Sequence, residues 1–311
     1  MPLSPDLASF LDLCAMAPPM SAMTPSQARA AYDAASLLID LPGADVEVEA
    51  LAIPGSGDHQ IPARLYRSRS SPMPSPVLLF FHGGGYVLGN LDSHDSLCRD
   101  LAAFSGGAVL AVDYRLAPEH RFPAAFEDAV DAHRWLLTHG AEHALDAGRL
   151  AICGDSVGGS LAAACCIAAR DAGRPQPALQ LLLYPCTASR QESASHRRLA
   201  HGHLLEGETL RWMFGHALRD DSDRDDWRFA PAAAASLADL AAAHVVVAEY
   251  DPLVDEGQDF ALALRAAGVR VSLQLARGMV HDFARLGAVV DDAVVLRRAL
   301  GDVLANAWLG R

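Results

Sequence analysis

A serine at position 156 stands in the stretch GDSVGG, residues 154 to 159, between an apolar run and a stretch typical of a helix. In a GxSxG turn between a strand and a helix, the serine lies on a sharp bend that exposes its hydroxyl group. The small residues Gly154 and Gly158 let the strand and the helix pack closely around that bend. Glycine–serine turns are common, but the flanks on both sides favour Ser156 as a nucleophile.

A serine hydroxyl group is a poor nucleophile near neutral pH, so it needs a nearby base and a third group that orients the base. On a sheet with such a turn, the acid and then the histidine follow the serine along the chain. Asp251 comes just after the apolar run HVVVAEY, and His281 follows the next apolar run. We therefore predict Asp251 as the acid and His281 as the base. Asp255 is a rival acid, but we expect it to lie on the following helix and to point away.

Three successive glycines, Gly83, Gly84 and Gly85, follow an apolar run in the stretch FFHGGGY. A glycine run costs conformational entropy, so it should serve a special backbone geometry or a close backbone approach to a ligand. Preformed amide donors would stabilise an oxyanion, each by roughly 3 kcal/mol. The candidate donors are two of these three glycines together with Val157. The alternatives are a tight turn without chemistry and a dinucleotide-binding turn, whose third glycine would fall at Leu88.

Five motifs span residues 82 to 283 in the order HGGGY, DYRLAPEHRFPAAFEDA, GDSVGG, EYDPLVDEG and GMVHDF. Together they resemble bacterial esterases of the hormone-sensitive lipase family (bacterial family IV), which have the α/β-hydrolase fold. The resemblance implies a carboxylesterase that acts on small acyl esters without a cofactor. It also implies Ser156 as nucleophile, His281 as base and Asp251 as the partner of the base.

Val157 and Asp282 depart from the alanine and the glycine that are common in this family. We expect the branched side chain of Val157 to narrow the site, and the charge of Asp282 to alter the pH dependence. Tyr86 and Asp155, beside the glycine run and the serine, are candidates for substrate contacts. The segment around Arg115 is expected to pin loops near the glycines.

Short apolar runs alternate with helical stretches, which predicts a mainly parallel sheet with helices on both faces. The runs expected to form buried strands are SPVLLFFH, GAVLAVDY, RLAIC, LQLLLYP, HVVVAEY and RVSLQLA. Two earlier runs, VEVEALAIP and IPARLYRS, flank a glycine-containing turn and predict an antiparallel hairpin. With the resemblance, the predicted fold class is an α/β hydrolase: a mostly parallel eight-stranded sheet flanked by helices, with a helical cap.

Two regions interrupt the alternation of strands and helices. Residues 1–40 have a helical pattern, and residues 187–228 are polar, helix-like and longer than a connection needs. We predict that these two segments form a discontinuous helical cap. The catalytic domain would then comprise residues 41–186 and 229–311.

The N-terminal segment contains an apolar set of side chains, among them Leu13, Met16, Met20 and Tyr32. We expect this set to close over an acyl chain. A covered pocket of this kind predicts a preference for esters of roughly four to eight acyl carbons. Thr24, followed by proline, is expected to cap the second helix of the segment.

The composition excludes several classes of function. A net charge of −13 over 311 residues argues against a nucleic-acid partner or an anionic membrane surface. All 25 basic residues are arginine, so Schiff-base chemistry and Walker-type phosphate binding lack the lysine that they need. The six cysteines have no CxxC spacing and are expected to be reduced. No signal peptide or membrane span is apparent, so a cytoplasmic location is the expectation.

No metal or other cofactor is predicted. His196, His201 and His203 lie close in sequence, but no carboxylate or cysteine pattern completes a metal site around them. We expect these three histidines to lie in a solvated loop of the cap. The C-terminal segment DDAVVLRRALGDVLANAWLG and the frequent pairing of family members suggest a homodimer, with packing of this segment on the sheet as the alternative.

Two other functions stay open at this stage. An arylformamidase or related amidase has a similar glycine loop and triad. A ligand receptor of the same superfamily would have lost catalytic residues, and the intact set of Ser156, Asp251 and His281 argues against it.

Overall fold

A computed structural model describes residues 2–310 and shows one eight-stranded sheet. Its strands are β1 (Glu47–Pro54), β2 (Gln60–Arg67), β3 (Ser75–Phe81), β4 (Ala108–Val112), β5 (Leu145–Asp155), β6 (Leu179–Leu183), β7 (Ala243–Tyr250) and β8 (Val271–Val280). Across the sheet the order is β1-β2-β4-β3-β5-β6-β7-β8. Strand β2 pairs antiparallel with β1 and β4, and all other neighbours are parallel. The predicted fold class and the N-terminal hairpin are confirmed.

Helices cover both faces of the sheet, as predicted. Within the described residues they are α1 (Pro5–Ala15), α2 (Pro25–Ile39), α3 (Asp95–Ser105), α4 (Ala124–His139), α5 (Val157–Asp171), α6 (Ala194–Arg198), α7 (Gly207–Ala217), α8 (Val254–Ala266) and α9 (Asp291–Trp308). Helices α4, α5 and α8 pack on one face, and α3 and α9 on the other. Strand β3 contributes side chains to the hydrophobic cores on both faces of the sheet, because successive side chains of a strand point to opposite faces. Leu79 joins the first core and Leu78 the second.

The carboxyl ends of β3, β5, β7 and β8 lie along one edge of the sheet because these strands are parallel. The glycine run follows β3, Ser156 follows β5, Asp251 follows β7 and His281 follows β8. Ligands of open α/β sheets bind at this edge. The topology therefore brings together residues that are far apart in sequence.

Helices α1, α2, α6 and α7 come from the two segments predicted as a cap. Helix α2 begins with a capping box in which Thr24 and Gln27 bond to each other's backbone N–H groups, as the cap prediction at Thr24 requires. Helix α7 packs against the short 3-10 turn Met20–Ala22. The division into cap and catalytic domain remains a prediction.

The expectation for the N-terminal side chains fails for helix α1, whereas Met20, Met23 and Tyr32 pack against the core on the α4/α5/α8 face. Leu7 and Leu11 of α1 are buried in the core on the α3/α9 face of the sheet. Leu13 is 65% exposed and Met16 83% exposed, so neither covers a pocket. The reason is that α1 has one apolar stripe, and this stripe is used against the sheet. No helix within residues 2–310 is long and apolar enough to cross a membrane.

Candidate active site

Ser156 lies on the predicted turn between β5 and α5. Its backbone has φ 55° and ψ −122°, a conformation that is strained for a residue with a side chain. Glycine is required two positions before and two positions after this serine. A Cβ atom at Gly154 would overlap the backbone of Gly158, and a Cβ atom at Gly158 would overlap the carbonyl group of Phe81. This close packing of α5 against β5 and β3 holds the serine on the bend.

Ser156, His281 and Asp251 form a continuous chain of hydrogen bonds. The Oγ atom of Ser156 lies 3.0 Å from Nε2 of His281, and Nδ1 of His281 lies 2.7 Å from Oδ2 of Asp251. The second carboxylate oxygen of Asp251 accepts the N–H group of Leu253 at 2.8 Å. Asp255 instead accepts a backbone N–H group at 2.7 Å, that of Ser195, and points away from the histidine.

The surroundings of His281 favour its charged form. Burial lowers the pKa of His281, but Asp251, through its charge and its hydrogen bond, raises it, and the charges of Asp282 and Asp155 add to that effect. The net direction is upward from the usual value of about 6.5. The ring of Tyr184 contacts the imidazole edge-on, with centroids 4.9 Å apart, and limits its rotation.

The glycine run lies beside the serine, and one of its three N–H groups already donates a hydrogen bond within the protein. Gly83 donates its N–H group to Oδ1 of Asp155 at 2.9 Å, so the candidate donors narrow to Gly84, Gly85 and Val157. Gly84 and Gly85 have φ values of 113° and 64°, which only glycine adopts readily. Val157 is the first residue of α5, where backbone N–H groups have no partner within the helix.

His82 fixes the start of the glycine run. Burial lowers its pKa to about 3, so the ring is neutral. Its Nδ1 atom lies 2.7 Å from the carbonyl oxygen of Gly83 and therefore donates to it. The hydroxyl group of Tyr114 donates to the carbonyl oxygen of His82 at 2.7 Å. The next residue, Arg115, is tied to Asp128 of α4 by its N–H group and its guanidinium group, which agrees with the predicted pinning role.

Asp155 is not the substrate contact that its position next to the serine suggested. It is 1% exposed, and its two carboxylate oxygens face Gly83 and Nε2 of His94, the latter at 3.3 Å. Burial alone would raise the pKa of Asp155, but His94 and Arg285 hold it below the usual range. Asp155 therefore supports the glycine run from beneath.

Tyr86 lies directly after the glycine run and is 6% exposed. Its ring packs 5.1 Å from that of Phe229 and lines a narrow cavity with Phe122 and Leu161. Its position next to the donors leaves a substrate contact as a prediction.

Met213 of α7 is a neighbour of the glycine run that sequence reasoning missed. A Cβ atom at Gly85 would overlap the thioether of Met213. No local pattern marks this methionine, because the contact depends on how α7 folds over the carboxyl edge of the sheet.

The histidines considered as metal ligands do not share a site. His196 is buried, contrary to the expectation of a solvated loop, and its Nε2 atom lies 3.3 Å from Glu256. His201 is exposed.

Another group with metal-ligating atoms lies beneath the serine. Single ligand atoms of His94, Asp155 and Asp282 lie within 4.8 Å of one another. The guanidinium group of Arg285 binds Asp282 at 2.7 Å, so a protein cation already balances this charge. These residues do not fit a metal site.

Comparison with known proteins agrees with this geometry. A family profile described as the alpha/beta hydrolase fold matches residues 78–285. The chain belongs to this family, within its hormone-sensitive lipase group. It is 40% identical over 305 residues to an ethyl acetate hydrolase of Pseudomonas putida, covering 94% of this chain and 95% of that protein.

Other similar proteins are also named as ester hydrolases. The chain is 44% identical over 254 residues to the carboxylic ester hydrolase LipN of Mycobacterium tuberculosis, covering 79% of this chain and 67% of the relative. A solved thermostable esterase from Pseudomonas putida superposes with a TM-score of 0.95 at 34% identity, covering 99% of this chain and 98% of the other. The protein is a carboxylic ester hydrolase.

Proposed function

We propose that Ser156, His281 and Asp251 form the catalytic triad of this ester hydrolase. The observation that carries the proposal is the hydrogen-bonded chain from Ser156 Oγ through the imidazole to Asp251. Because Nδ1 of His281 donates to the carboxylate, Nε2 is free to accept the serine proton. Asp251 holds this tautomer and stabilises the imidazolium that forms.

The reaction would proceed through an acyl-enzyme. Ser156 Oγ attacks the ester carbonyl carbon while its proton moves to Nε2 of His281, and the imidazolium then protonates the departing alcohol. Water next attacks the acyl-enzyme and gives a proton to the same nitrogen. The bond between the acyl carbon and Ser156 Oγ then breaks, the imidazolium returns the proton to Oγ, and the carboxylic acid leaves. The N–H groups of Gly84, Gly85 and Val157 are the donors for the oxyanion in both steps.

Ser156→Ala tests the nucleophile. We expect loss of 4-nitrophenyl butyrate turnover and of covalent labelling by a fluorophosphonate, with circular dichroism unchanged. Ser160→Ala is the matched control, because Ser160 is a buried serine on the same helix whose hydroxyl group donates to the carbonyl oxygen of Cys186. Normal labelling of Ser156→Ala would remove this residue from the mechanism.

A substrate comparison with the wild-type enzyme tests the amidase alternative. Faster turnover of formyl-kynurenine than of the butyrate ester would indicate an amidase.

We also propose that short- and medium-chain acyl esters are the substrates. Helix α7 supports this, because Met213 packs on Gly85 while Leu210 and Phe214 are buried beside it. A covered pocket holds a limited number of methylene groups, so kcat/KM should peak at roughly four to eight acyl carbons. Butyrate, octanoate and palmitate esters, held below micelle formation, provide the measurement. Preference for palmitate would contradict the proposal.

We further propose a cytoplasmic homodimer without a nucleic-acid partner. Free cysteines support the location, and the excess of acidic residues supports the lack of a nucleic-acid partner. The apolar face of α9 packs on the sheet, as the alternative expected, so the dimer would use the outer face of this helix, where Val295 is 65% exposed. Light scattering at micromolar concentration tests the dimer, and a monomer mass would contradict it.

A further inference from the structure

Arg285 lies four residues after His281 and connects three parts of the molecule. Its side chain is 1% exposed. Its Nε atom donates to the carbonyl oxygen of Ser93 at 3.1 Å, and one terminal nitrogen donates to Asp282 at 2.7 Å. Towards α2, it donates to the hydroxyl group of Tyr32 and, at 2.7 Å, to that of Ser36. The guanidinium carbon also lies 4.9 Å from the centre of the Tyr32 ring.

A second chain of contacts continues from Arg285 towards the glycine run. The Oγ atom of Ser93 lies 2.9 Å from Nδ1 of His94, and Nε2 of His94 lies 3.3 Å from Asp155. Asp155 in turn accepts the N–H group of Gly83. One buried network therefore reaches Asp282, next to the proposed base, and Asp155, next to the proposed nucleophile. Through Asp155 it also reaches the glycine run.

A buried guanidinium group is stable only while its donors are satisfied, so these contacts depend on one another. Asp282 has φ 66°, a left-handed conformation that disfavours side chains. Its ion pair with Arg285 anchors the side chain of this residue, which directly follows His281 at the end of β8. Helix α2 supplies the hydroxyl groups of Tyr32 and Ser36, which accept the remaining hydrogen bonds of the guanidinium group.

We propose that Arg285 is a positioning residue, through which the seating of helix α2 sets the geometry of His281. Arg285 touches neither Ser156 nor the base, so it acts through Asp282 and through the chain that supports Gly83. The inference rests on the triad proposed above.

A charge effect accompanies the positional one. The ionisable groups around His281 come from the loops after β5, β6, β7 and β8, and are Asp155, Tyr184, Asp251, Asp282 and Arg285. Arg285 offsets the negative charge of Asp282 beside the imidazole. Without it, the imidazolium would be more stable, and the fall of activity on the acid side would move to higher pH.

The test uses two changes and one control in the full chain. Tyr32→Phe with Ser36→Ala removes the two hydroxyl acceptors on α2 but keeps the aromatic ring and the arginine. Arg285→Met removes the charge at similar length. The matched control, Tyr66→Phe with Ser75→Ala, removes one tyrosine and one serine hydroxyl group from buried residues that belong neither to α2 nor to the contacts of Arg285.

Activity is measured per active site titrated by a fluorophosphonate, so that misfolded protein does not count. We expect the α2 double variant to lose about tenfold in kcat with little change in KM, which corresponds to about 1.4 kcal/mol. We expect Arg285→Met to lose more and to move its acid limb to higher pH, and the control Tyr66→Phe with Ser75→Ala to keep the wild-type kcat.

Wild-type kcat per titrated site in the double variant would overturn the inference, as would an unshifted acid limb in Arg285→Met. Failure of the fluorophosphonate to label the wild-type enzyme would instead overturn the proposed triad.

Discussion

At the level of single residues, the proposed mechanism depends on the proton affinity of the His281 imidazole. His281 is buried with Asp251 as its partner and with the charges of Asp282 and Asp155 nearby. Burial favours the neutral ring, and the carboxylates favour the charged ring more strongly. A base acts only when it is neutral, so the raised pKa of His281 has a direct kinetic consequence.

The raised pKa predicts the pH profile. Below the pKa of His281 the ring is protonated and cannot accept the serine proton, so activity is present above this pKa and falls as pH drops through it. We expect the acid limb of kcat/KM to lie above the usual histidine value of about 6.5. Initial rates in buffers of constant ionic strength check this, and an acid limb below pH 6 would contradict it.

The identity of the acid gives a second prediction. Asp251→Asn should lower kcat by about 10⁴-fold, because an amide cannot hold the required histidine tautomer. Asp255→Asn serves as the matched control, since among the described contacts the carboxylate of Asp255 accepts only the backbone N–H group of Ser195 in α6. A larger loss in Asp255→Asn than in Asp251→Asn would overturn the assignment.

Among the helices and loops, the contact of helix α7 with the glycine run is the feature that explains the run. The thioether of Met213 occupies the space that a side chain at Gly85 would need, while Asp155 and Leu88 crowd Gly83 and Gly84 in the same way. The run therefore leaves space for neighbours as well as for substrate. This explains why three successive positions lack side chains.

Gly85→Ala tests this explanation. The new methyl group would push the loop away from Met213, and we expect kcat to fall by about 10²-fold as the donors lose alignment. Gly106→Ala is the matched control, because Gly106 has a similar φ of 69° and nothing within 4 Å of the added atom. The control should lose only about 1 kcal/mol of stability and keep its kcat. Equal kcat in both variants would contradict the role of Met213, and Met213→Ala should partly restore Gly85→Ala.

At the scale of the whole molecule, helix α2 is a fixed support along its length. Arg29 donates to the carbonyl oxygens of Val87 and Ala117 at 2.8 and 2.7 Å, close to the glycine run. At the other end, Asp40 pairs with the fully buried Arg297. Between these ends, Arg285 contacts the central part of α2. The helix is therefore joined to the loops at the proposed active site and to α9 on the other face of the sheet.

Deletion of residues 1–40 should therefore destabilise the fold as well as expose the site. Arg297 would keep its ion pair with Asp100 but lose Asp40. Arg285 would lose the hydroxyl acceptors of Tyr32 and Ser36, and each buried donor left unsatisfied costs about 1–3 kcal/mol. We expect a marked fall in melting temperature, measured by calorimetry. Deletion of residues 1–20 keeps α2 and should lose less, although Leu7 and Leu11 are removed with it. An unchanged melting temperature in the longer deletion would show that α2 is not a support.

Features that depend on local pattern and chain order could be predicted from the residues alone. Apolar runs and turn residues identified the sheet and its hairpin, and GDSVGG identified Ser156 because only small residues fit that bend. The positions of Asp251 and His281 after successive strands selected them, because parallel strands end at a common edge. Thr24 was recognisable as a helix cap because capping uses neighbouring residues.

Which polar groups already have a hydrogen-bond partner could be seen only in the folded chain. Gly83 could not be separated from Gly84 and Gly85 in sequence, since its N–H group is used by Asp155, 72 residues away. Arg285, whose contacts on α2 lie about 250 positions earlier, carries no local signal. His196 had a polar sequence context and is nevertheless buried on Glu256. In each case the physical reason is the same: burial and pairing depend on side chains that folding brings from distant parts of the chain.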